Sequence, residues 1–193
     1  MEPYSLPMKL ADAFLDAIFP PLCVGCRAHL PLSRRGADPL CADCGARIEL
    51  FSGLRCPTCT RRLTAPKPTC HREARFVLAA AAPYDGVIRA VIHALKYERV
   101  RPAAQVLAAT IVRHLDRSWP PWRAEVGASL IVPVPLHRRR LRERGFNQAT
   151  LIARAVLELS GIGPTPLRED VLCRTRSTPS QTSLATHEER RRN

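Results

Sequence analysis

The chain has 193 residues, of which 46% are hydrophobic and 24% are charged, a composition that excludes a wholly disordered protein. Lys and Arg number 30 against 17 Asp and Glu, which gives a net charge of +13 at pH 7. This excess predicts attraction to nucleic acid, phosphorylated metabolites or an acidic membrane surface, with an Arg-rich solvated surface as the alternative. No apolar run has the length of a membrane span, so the sequence predicts no transmembrane segment.

Residues 1–20 are predicted to form an amphipathic helix. Leu10, Phe14 and Ile18 recur at intervals of four residues, which places them on one helical face. Two aspartates interrupt this apolar stretch, so it lacks the character of an export signal. We expect the helix to dock on the protein, with membrane contact as the alternative, and we expect the chain to be cytoplasmic.

Four cysteines in the first half of the chain have the spacing of a zinc ribbon. They form two C-x-x-C pairs separated by 14 residues, namely Cys23, Cys26, Cys41 and Cys44. This count and spacing predict one tetrahedral four-thiolate site, which is favoured over a redox C-x-x-C motif because redox motifs usually occur singly. The segment has little apolar material, so zinc would stabilise the fold by about 10–16 kcal/mol. We expect this zinc to be structural, not catalytic.

A second cysteine cluster is less complete. Cys56, Cys59 and Cys70 supply three thiols, and the residue at the matching fourth position is Glu73. His71 is another candidate for the fourth ligand. Three outcomes therefore stay open: three thiolates with His71, three thiolates with Glu73, or a degenerate ribbon without metal. The eighth cysteine, Cys173, stands alone and is predicted to be a buried small hydrophobe.

The patterning of the sequence changes near residue 75, which predicts a ribbon domain over 21–75 and a second domain over 76–193. The predicted strands are 76–82, 129–134 and a short one at 171–173, and the predicted helices are 87–97, 102–115 and 146–159. Alternation of apolar strands with helices favours an α/β fold with a parallel sheet. Three strands are fewer than most sheets contain, so this domain is expected to be incomplete.

Two stretches of the second domain suit phosphate binding. The turn from Pro133 to His137 follows a predicted strand, and its two prolines leave three backbone N–H donors, those of Val134, Leu136 and His137. A rigid turn of this kind beside arginines suits a pyrophosphate group, although a Pro-x-Pro sequence that merely ends the strand is the alternative.

The second stretch is the sequence from Arg142 to Gln148. Gly145 allows a tight turn, and Asn147 is predicted to cap the following helix. Arg142 and Arg144 can each bind phosphate oxygens through two N–H groups, with a solvated basic helix end as the alternative. Lys96 lies at the end of a predicted helix and is weak support by itself.

These motifs together resemble the ComF family. The resemblance rests on LKY at 95–97, PVPLH at 133–137, RERGFNQA at 142–149, RTRSTPSQ at 174–181 and EERRRN at 188–193, all behind the C-x-x-C pairs. It implies a double zinc ribbon followed by a type I phosphoribosyltransferase-like parallel-sheet domain. It also implies that the full-length form binds 5-phosphoribosyl 1-pyrophosphate (PRPP) with Mg²⁺, and it implies a link to DNA uptake in natural competence.

The resemblance assigns roles to residues in three groups. Pro133, Val134, Pro135, Leu136 and His137 would form the pyrophosphate loop. Lys96, Arg142, Arg144, Gly145, Asn147 and Gln148 would surround it. Arg174, Arg176, Thr178, Gln181 and Arg190 would belong to a hood over bound PRPP. No residue is predicted to be catalytic.

The sequence departs from the family pattern in one respect. Members carry an apolar strand that ends in two acidic residues and a Thr- and Gly-containing phosphate loop after the hood, and neither Glu169-Asp170 nor Glu188-Glu189 is followed by such a loop. The chain is therefore expected to be truncated before that loop and to lack transferase activity alone. The alternative function is a zinc-ribbon module that binds nucleic acid, such as single-stranded DNA, or the competence machinery, with the transferase-like part as a scaffold.

Overall fold

The structure is a computed structural model that describes most of the chain after residue 19. The described residues are 20–31, 36, 38–63, 70–71, 75–163, 166–179 and 185–192. The amphipathic helix predicted within residues 1–20 lies outside this part of the chain.

Helices dominate the described residues. The ribbon region contains helix α1 (Ala42–Ala46) and strands β1 (Leu54–Arg55) and β2 (Arg62–Leu63). The rest contains helices α2 (Gly86–Tyr97), α3 (Ala103–Ser118), α4 (Trp122–Gly127), α5 (Arg138–Arg144), α6 (Gln148–Ser160) and α7 (His187–Arg192). No helix in the described ranges combines the length and the apolar character needed to cross a membrane.

The three long helices follow the sequence prediction closely. Helix α2 buries Val91 and Leu95 on the predicted apolar face. Pro102 precedes the first residue of α3, as its fixed φ allows. Asn147 caps α6, and Gly161, with φ of +64°, ends it. The sequence prediction of these helices is confirmed.

The main core joins the ribbon to the helices. Helix α3 packs against both α2 and α6. The buried residues of this core come from three places. They are Cys23, Val24, Leu30, Leu40 and Cys44 of the first ribbon, Ile88, Val91, Ala94 and Leu95 of α2, and Ala103, Ala104 and Leu107 of α3 together with Phe146. A separate cluster contains Val112, Leu115 and the fully buried Trp122. The first ribbon therefore shares its hydrophobic core with the helices.

The described residues do not contain the predicted parallel sheet. Their only sheet is the antiparallel pair β1–β2, with Leu54 opposite Leu63. Segment 76–82 forms one antiparallel bridge, between Leu78 and Arg55, and segment 129–134 forms one parallel bridge, between Ile131 and Leu167. Segment 171–173 has no strand structure.

The side chains of these segments are also more exposed than predicted. Phe76 is 60% exposed and Val134 is 68% exposed, whereas an interior strand of a parallel sheet is covered on both faces. A strand needs neighbours that accept and donate its backbone hydrogen bonds along its length. Among the described residues each of the two segments forms one bridge, and segment 76–82 adds a single bond from the Phe51 N–H to the Ala81 carbonyl at 2.9 Å. The apolar composition of these segments does not show whether neighbouring strands are present to pair with them.

Candidate metal centres and phosphate-binding cavity

The first cysteine cluster brings four thiols together. The sulfur atoms of Cys23, Cys26, Cys41 and Cys44 all lie within 4.8 Å of one another. Cys23 and Cys44 are buried, and Cys41 caps helix α1 by accepting a hydrogen bond from the Cys44 backbone N–H at 3.4 Å. This grouping fits the predicted tetrahedral zinc site.

Sulfur atoms in this cluster accept hydrogen bonds, which stabilise the thiolate form that binds a metal cation. The Arg47 guanidinium donates to Cys44 Sγ at 2.9 Å, and the Cys41 N–H donates to Cys23 Sγ at 3.3 Å. Burial opposes ionisation of Cys23, but backbone N–H donors outweigh it and lower the pKa of its thiol to about 6. Burial raises the pKa of Cys44 to about 12 despite Arg47. A zinc ion among the sulfurs would deprotonate all four thiols.

The second cluster brings an imidazole close to three thiols. Ligand atoms of Cys56, Cys59, Cys70 and His71 lie within 4.8 Å of one another. His71 Nδ1 is 3.6 Å from Cys56 Sγ and 3.4 Å from Cys70 Sγ. Among the described residues His71 is therefore the candidate for the fourth ligand, while Glu73 lies outside them. Three thiols and one imidazole fit a second zinc site.

The two clusters begin with the same backbone turn. In the first, the Arg27 N–H donates to the Cys23 carbonyl at 2.8 Å, and in the second the Thr60 N–H donates to the Cys56 carbonyl at 2.9 Å. Arg27 and Thr60 both have positive φ, 62° and 59°. The matching turns point the two sulfurs of each C-x-x-C pair toward one centre, so the ribbon contains two related halves.

Away from the ribbon, Asn147 connects the predicted phosphate turn to helix α6. Its Nδ2 donates to the Val134 carbonyl at 3.0 Å, while its Oδ1 accepts from the Ala149 N–H at 3.0 Å. At the other end of the turn, His137 Nδ1 accepts from the Arg139 N–H at 3.3 Å and caps helix α5. One side chain therefore holds the turn against α6, and another starts α5.

A cavity of about 410 Å³ opens beside this turn. It brings together predicted residues from three separate parts of the sequence, namely Pro135 and Leu136, Asn147, and Arg174. Arg174 also donates to Thr178 Oγ1 at 2.6 Å, which links the predicted hood segment to the cavity. Some of the predicted residues therefore line one cavity.

The cavity also contains Arg138, one of the arginines expected beside the turn, and two charged residues that the sequence motifs did not predict. Arg138 and Arg154 line it, as does Glu169, which accepts hydrogen bonds from Thr150 at 3.1 Å and Arg154 at 2.7 Å. The spacing of Thr150 and Arg154, four residues apart on α6, was an available signal that both side chains face the same way. Glu169 could be placed there only by the fold.

Other predicted residues form a separate cluster. The Arg144 guanidinium lies 5.8 Å from the centre of the Tyr97 ring and donates to Gln148 Oε1 at 2.5 Å. Burial, followed by the nearby charge of Arg144, lowers the pKa of Lys96. Lys96 and Gln148 line an apolar cavity of about 280 Å³, and neither they nor Arg144 lines the cavity beside the phosphate turn.

The remaining predicted residues have varied positions. Pro133 is buried, Arg142 and Arg176 are exposed, and Gly145 has φ of +83° at the end of α5, as a tight turn requires. Arg190 lies in α7, and Gln181 lies outside the described residues. The prediction that Cys173 is buried is wrong, because this thiol is exposed at the rim of the 410 Å³ cavity.

Comparison with known proteins defines the class of the N-terminal part. Residues 14–79 match the family model described as "Double zinc ribbon domain". This match and the two thiol-rich clusters support structural zinc as the metal.

The chain as a whole is similar to curated proteins named DNA utilization protein YhgH. The protein from Salmonella typhimurium is 28% identical over 174 residues, which cover 86% of this chain and 72% of the relative. The protein from Escherichia coli O157:H7 is 29% identical over 180 residues, which cover 89% and 74%. The protein from Escherichia coli K12 is 29% identical over 174 residues, which cover 86% and 72%. No solved structure matches the chain.

Proposed function

We propose that this protein is a ComF-like, phosphoribosyltransferase-like protein that binds the pyrophosphate group of PRPP together with Mg²⁺. The observation that carries this proposal is the convergence of Pro135-Leu136, Asn147 and Arg174 on one cavity. These residues are up to 39 positions apart in the sequence, yet they belong to the motifs that resemble the ComF family. Two zinc ions in the ribbon would hold the N-terminal part folded.

The charge of the cavity suits a polyanion. Arg138, Arg154 and Arg174 line it, and the acidic lining residue within the described chain, Glu169, already accepts from Arg154. Guanidinium groups bind phosphate oxygens through paired N–H donors, and such charge-assisted bonds are about twice as strong as neutral ones. A pyrophosphate group would replace the water around these arginines.

Magnesium fits the cavity only as a companion of the ligand. Mg²⁺ is usually held by one or two carboxylates together with substrate phosphates. Glu169 is committed to Thr150 and Arg154, so phosphate oxygens and water would supply most of the ion's ligands. When bound, the ion would neutralise the charge of the pyrophosphate. The arginines would orient that group, and we propose binding without assigning a catalytic residue.

We further propose that the protein acts in the handling of DNA in the cytoplasm. The printed name of the similar Salmonella and Escherichia proteins refers to DNA utilization. The net charge of +13 favours contact with nucleic acid. This role is compatible with a phosphoribosyl site, because the two ligands would use different surfaces.

A thermal-shift series tests the phosphoribosyl site. PRPP with Mg²⁺ at about 100 times its Kd should stabilise the protein by about 2.7 kcal/mol, which corresponds to about 5–10 °C for a chain of this size. The double variant Arg138→Gln, Arg174→Gln should lose this shift. The control Arg75→Gln, Arg89→Gln removes the same charge from exposed positions outside the cavity and should keep it.

Arg144→Gln separates the cavity from the cluster around Tyr97. If the ligand binds in the cavity, this variant should keep most of the shift, because Arg144 does not line the cavity. Loss of the shift in Arg144→Gln together with its retention in the Arg138, Arg174 variant would place the ligand elsewhere and contradict the assignment. Ribose 5-phosphate, which lacks the pyrophosphate group, should give little stabilisation.

A further inference from the structure

A second basic cleft lies between the second half of the ribbon and the end of helix α3. It has a volume of about 580 Å³, and its lining includes Phe51, Gly53, Arg62, Arg117 and Ser118. We infer that this cleft binds phosphodiester groups of a nucleic-acid strand through Arg62 and Arg117. The inference rests on the DNA-handling role proposed above and does not depend on the pyrophosphate cavity.

Arg62 and Arg117 differ from several other arginines of this protein in having no carboxylate partner among the described residues. Arg123, Arg154 and Arg168 each form a salt bridge with a carboxylate. Arg62 and Arg117 are exposed, and within the described part of the chain neither is in a salt bridge. The described lining of the cleft also has no acidic residue. Among the described residues, therefore, no acidic side chain neutralises the two positive charges that face the cleft.

The floor of the cleft is fixed to helix α3 by hydrogen bonds. The fully buried His114 donates from Nδ1 to the Phe51 carbonyl at 3.0 Å, and the Gly53 N–H donates to Ser118 Oγ at 2.9 Å. These two bonds hold the loop before β1 against the last turn of α3. Arg62 on β2 and Arg117 on α3 are thus supported by elements that are connected to each other. A cleft with this support can bind an extended ligand without first ordering its own backbone.

Gly53 allows Arg62 to lie along this loop. Its φ is +71°, and a Cβ atom at this position would lie 2.7 Å from Arg62 Nε. A larger residue would therefore displace the guanidinium side chain as well as strain the backbone. The absence of a side chain at Gly53 therefore leaves room for the Arg62 guanidinium in its present position.

The chemistry of the cleft favours contact with the sugar-phosphate backbone over contact with bases. Phe51 is the one aromatic residue in the described lining of the cleft. The Arg55 guanidinium lies over the Phe51 ring, 4.7 Å from the ring centre. That face of the ring is not open for base stacking, which sequence-tolerant single-strand binding often uses. Binding should therefore depend on phosphate charge and show little sequence preference.

Fluorescence anisotropy with a labelled single-stranded DNA oligonucleotide tests the inference. The double variant Arg62→Gln, Arg117→Gln should bind about tenfold more weakly than the wild-type chain. Because each phosphate contact on a single strand contributes about 0.7 to the slope of log K against log salt, the loss of two contacts should reduce that slope by about 1.4. Arg62→Lys, Arg117→Lys keeps both charges and should retain most of the affinity.

The control variant Arg75→Gln, Arg89→Gln removes the same total charge from outside the cleft and should change affinity and slope much less. Equal weakening by the two double variants, or an unchanged slope in the cleft variant, would overturn the inference. So would absence of DNA binding by the wild-type chain, or displacement of the oligonucleotide by inorganic pyrophosphate at concentrations that match unlabelled DNA. Zinc content and melting temperature should be unchanged in each variant.

The two proposed sites fail independently in these measurements. The cleft variant should retain the thermal shift with PRPP and Mg²⁺, while the cavity variant Arg138→Gln, Arg174→Gln should keep the greater part of its DNA affinity. Loss of both properties in the cleft variant would show a single shared site and would contradict the separate cleft.

Discussion

At the scale of single residues, Asp116 shows how much depends on contacts that the sequence does not reveal. Its carboxylate accepts a hydrogen bond from the buried Trp122 indole at 2.8 Å and is paired with Arg123. The hydrogen bond from Arg123, followed by that from Trp122, lowers the pKa of Asp116. The residue therefore joins the end of α3 to α4.

This arrangement predicts a pH-dependent contribution to stability. Because the folded-state pKa of Asp116 is lowered, its carboxylate stabilises the folded state above the ordinary pKa near 3.8 and loses that effect as the pH falls through the lower folded value. Asp116→Asn should cost about 1 kcal/mol at neutral pH, since solvent screens this partly exposed pair. Denaturant unfolding at several pH values measures the difference from wild type, which should shrink in acid.

Asp85→Asn is the matched control, because Asp85 precedes α2 without a side-chain capping hydrogen bond. It should change the free energy of unfolding by no more than about 0.5 kcal/mol. A cost for Asp116→Asn that stays constant from neutral pH to acid would show that the charge of the carboxylate is not what stabilises this corner.

At the scale of secondary-structure elements, local signals predicted helices well and strands poorly. The capping role of Asn147 and the helix end at Gly161 depend on the chain near each residue, so they could be found from the sequence. The bridge between Ile131 and Leu167 depends on a partner 36 residues away. The candidate site shows the same difference between local and long-range information. The motif around Asn147 could be recognised from neighbouring residues, whereas Glu169 and Arg154 are brought to the cavity only by the fold.

Substitutions of Asn147 separate its role as the cap of α6 from its hydrogen bond to the Val134 carbonyl. Asn147→Ala removes both the cap acceptor and the donor to Val134, and it should cost about 1–2 kcal/mol. Asn147→Asp retains an acceptor for the Ala149 N–H but loses the donor, so it should be less destabilising. Denaturant unfolding of the two variants measures the difference. Equal costs would mean that the cap contributes nothing beyond the bond to Val134.

At the scale of the whole molecule, the two metal centres should differ in their effect on stability. Cys23 and Cys44 belong to the main core that contains residues of α2 and α3, whereas Cys56 belongs to a small cluster with Leu63 and Val77. The cysteine spacing predicted the first centre, but only the structure shows that this centre and the helices share one core.

Serine substitutions at one cysteine in each centre test this difference. Cys44→Ser should lower the zinc content to about one ion per chain and destabilise the helices as well, because its centre lies in the shared core. Cys70→Ser should also remove one zinc ion, yet leave the helical melting transition largely unchanged, since Cys70 is exposed. Elemental analysis and circular dichroism melting measure the two effects. Identical melting curves for the two variants would contradict the unequal coupling.

Direct calorimetry of pyrophosphate binding tests the central functional claim. Titration of magnesium pyrophosphate into the wild-type chain should release or absorb heat with a stoichiometry of about one ligand per chain, because one arginine-lined cavity adjoins the turn at Pro135. The Arg138→Gln, Arg174→Gln variant should give no binding heat. If neither pyrophosphate nor PRPP binds the folded, zinc-loaded wild-type chain in the presence of magnesium, the proposed phosphoribosyl site is wrong.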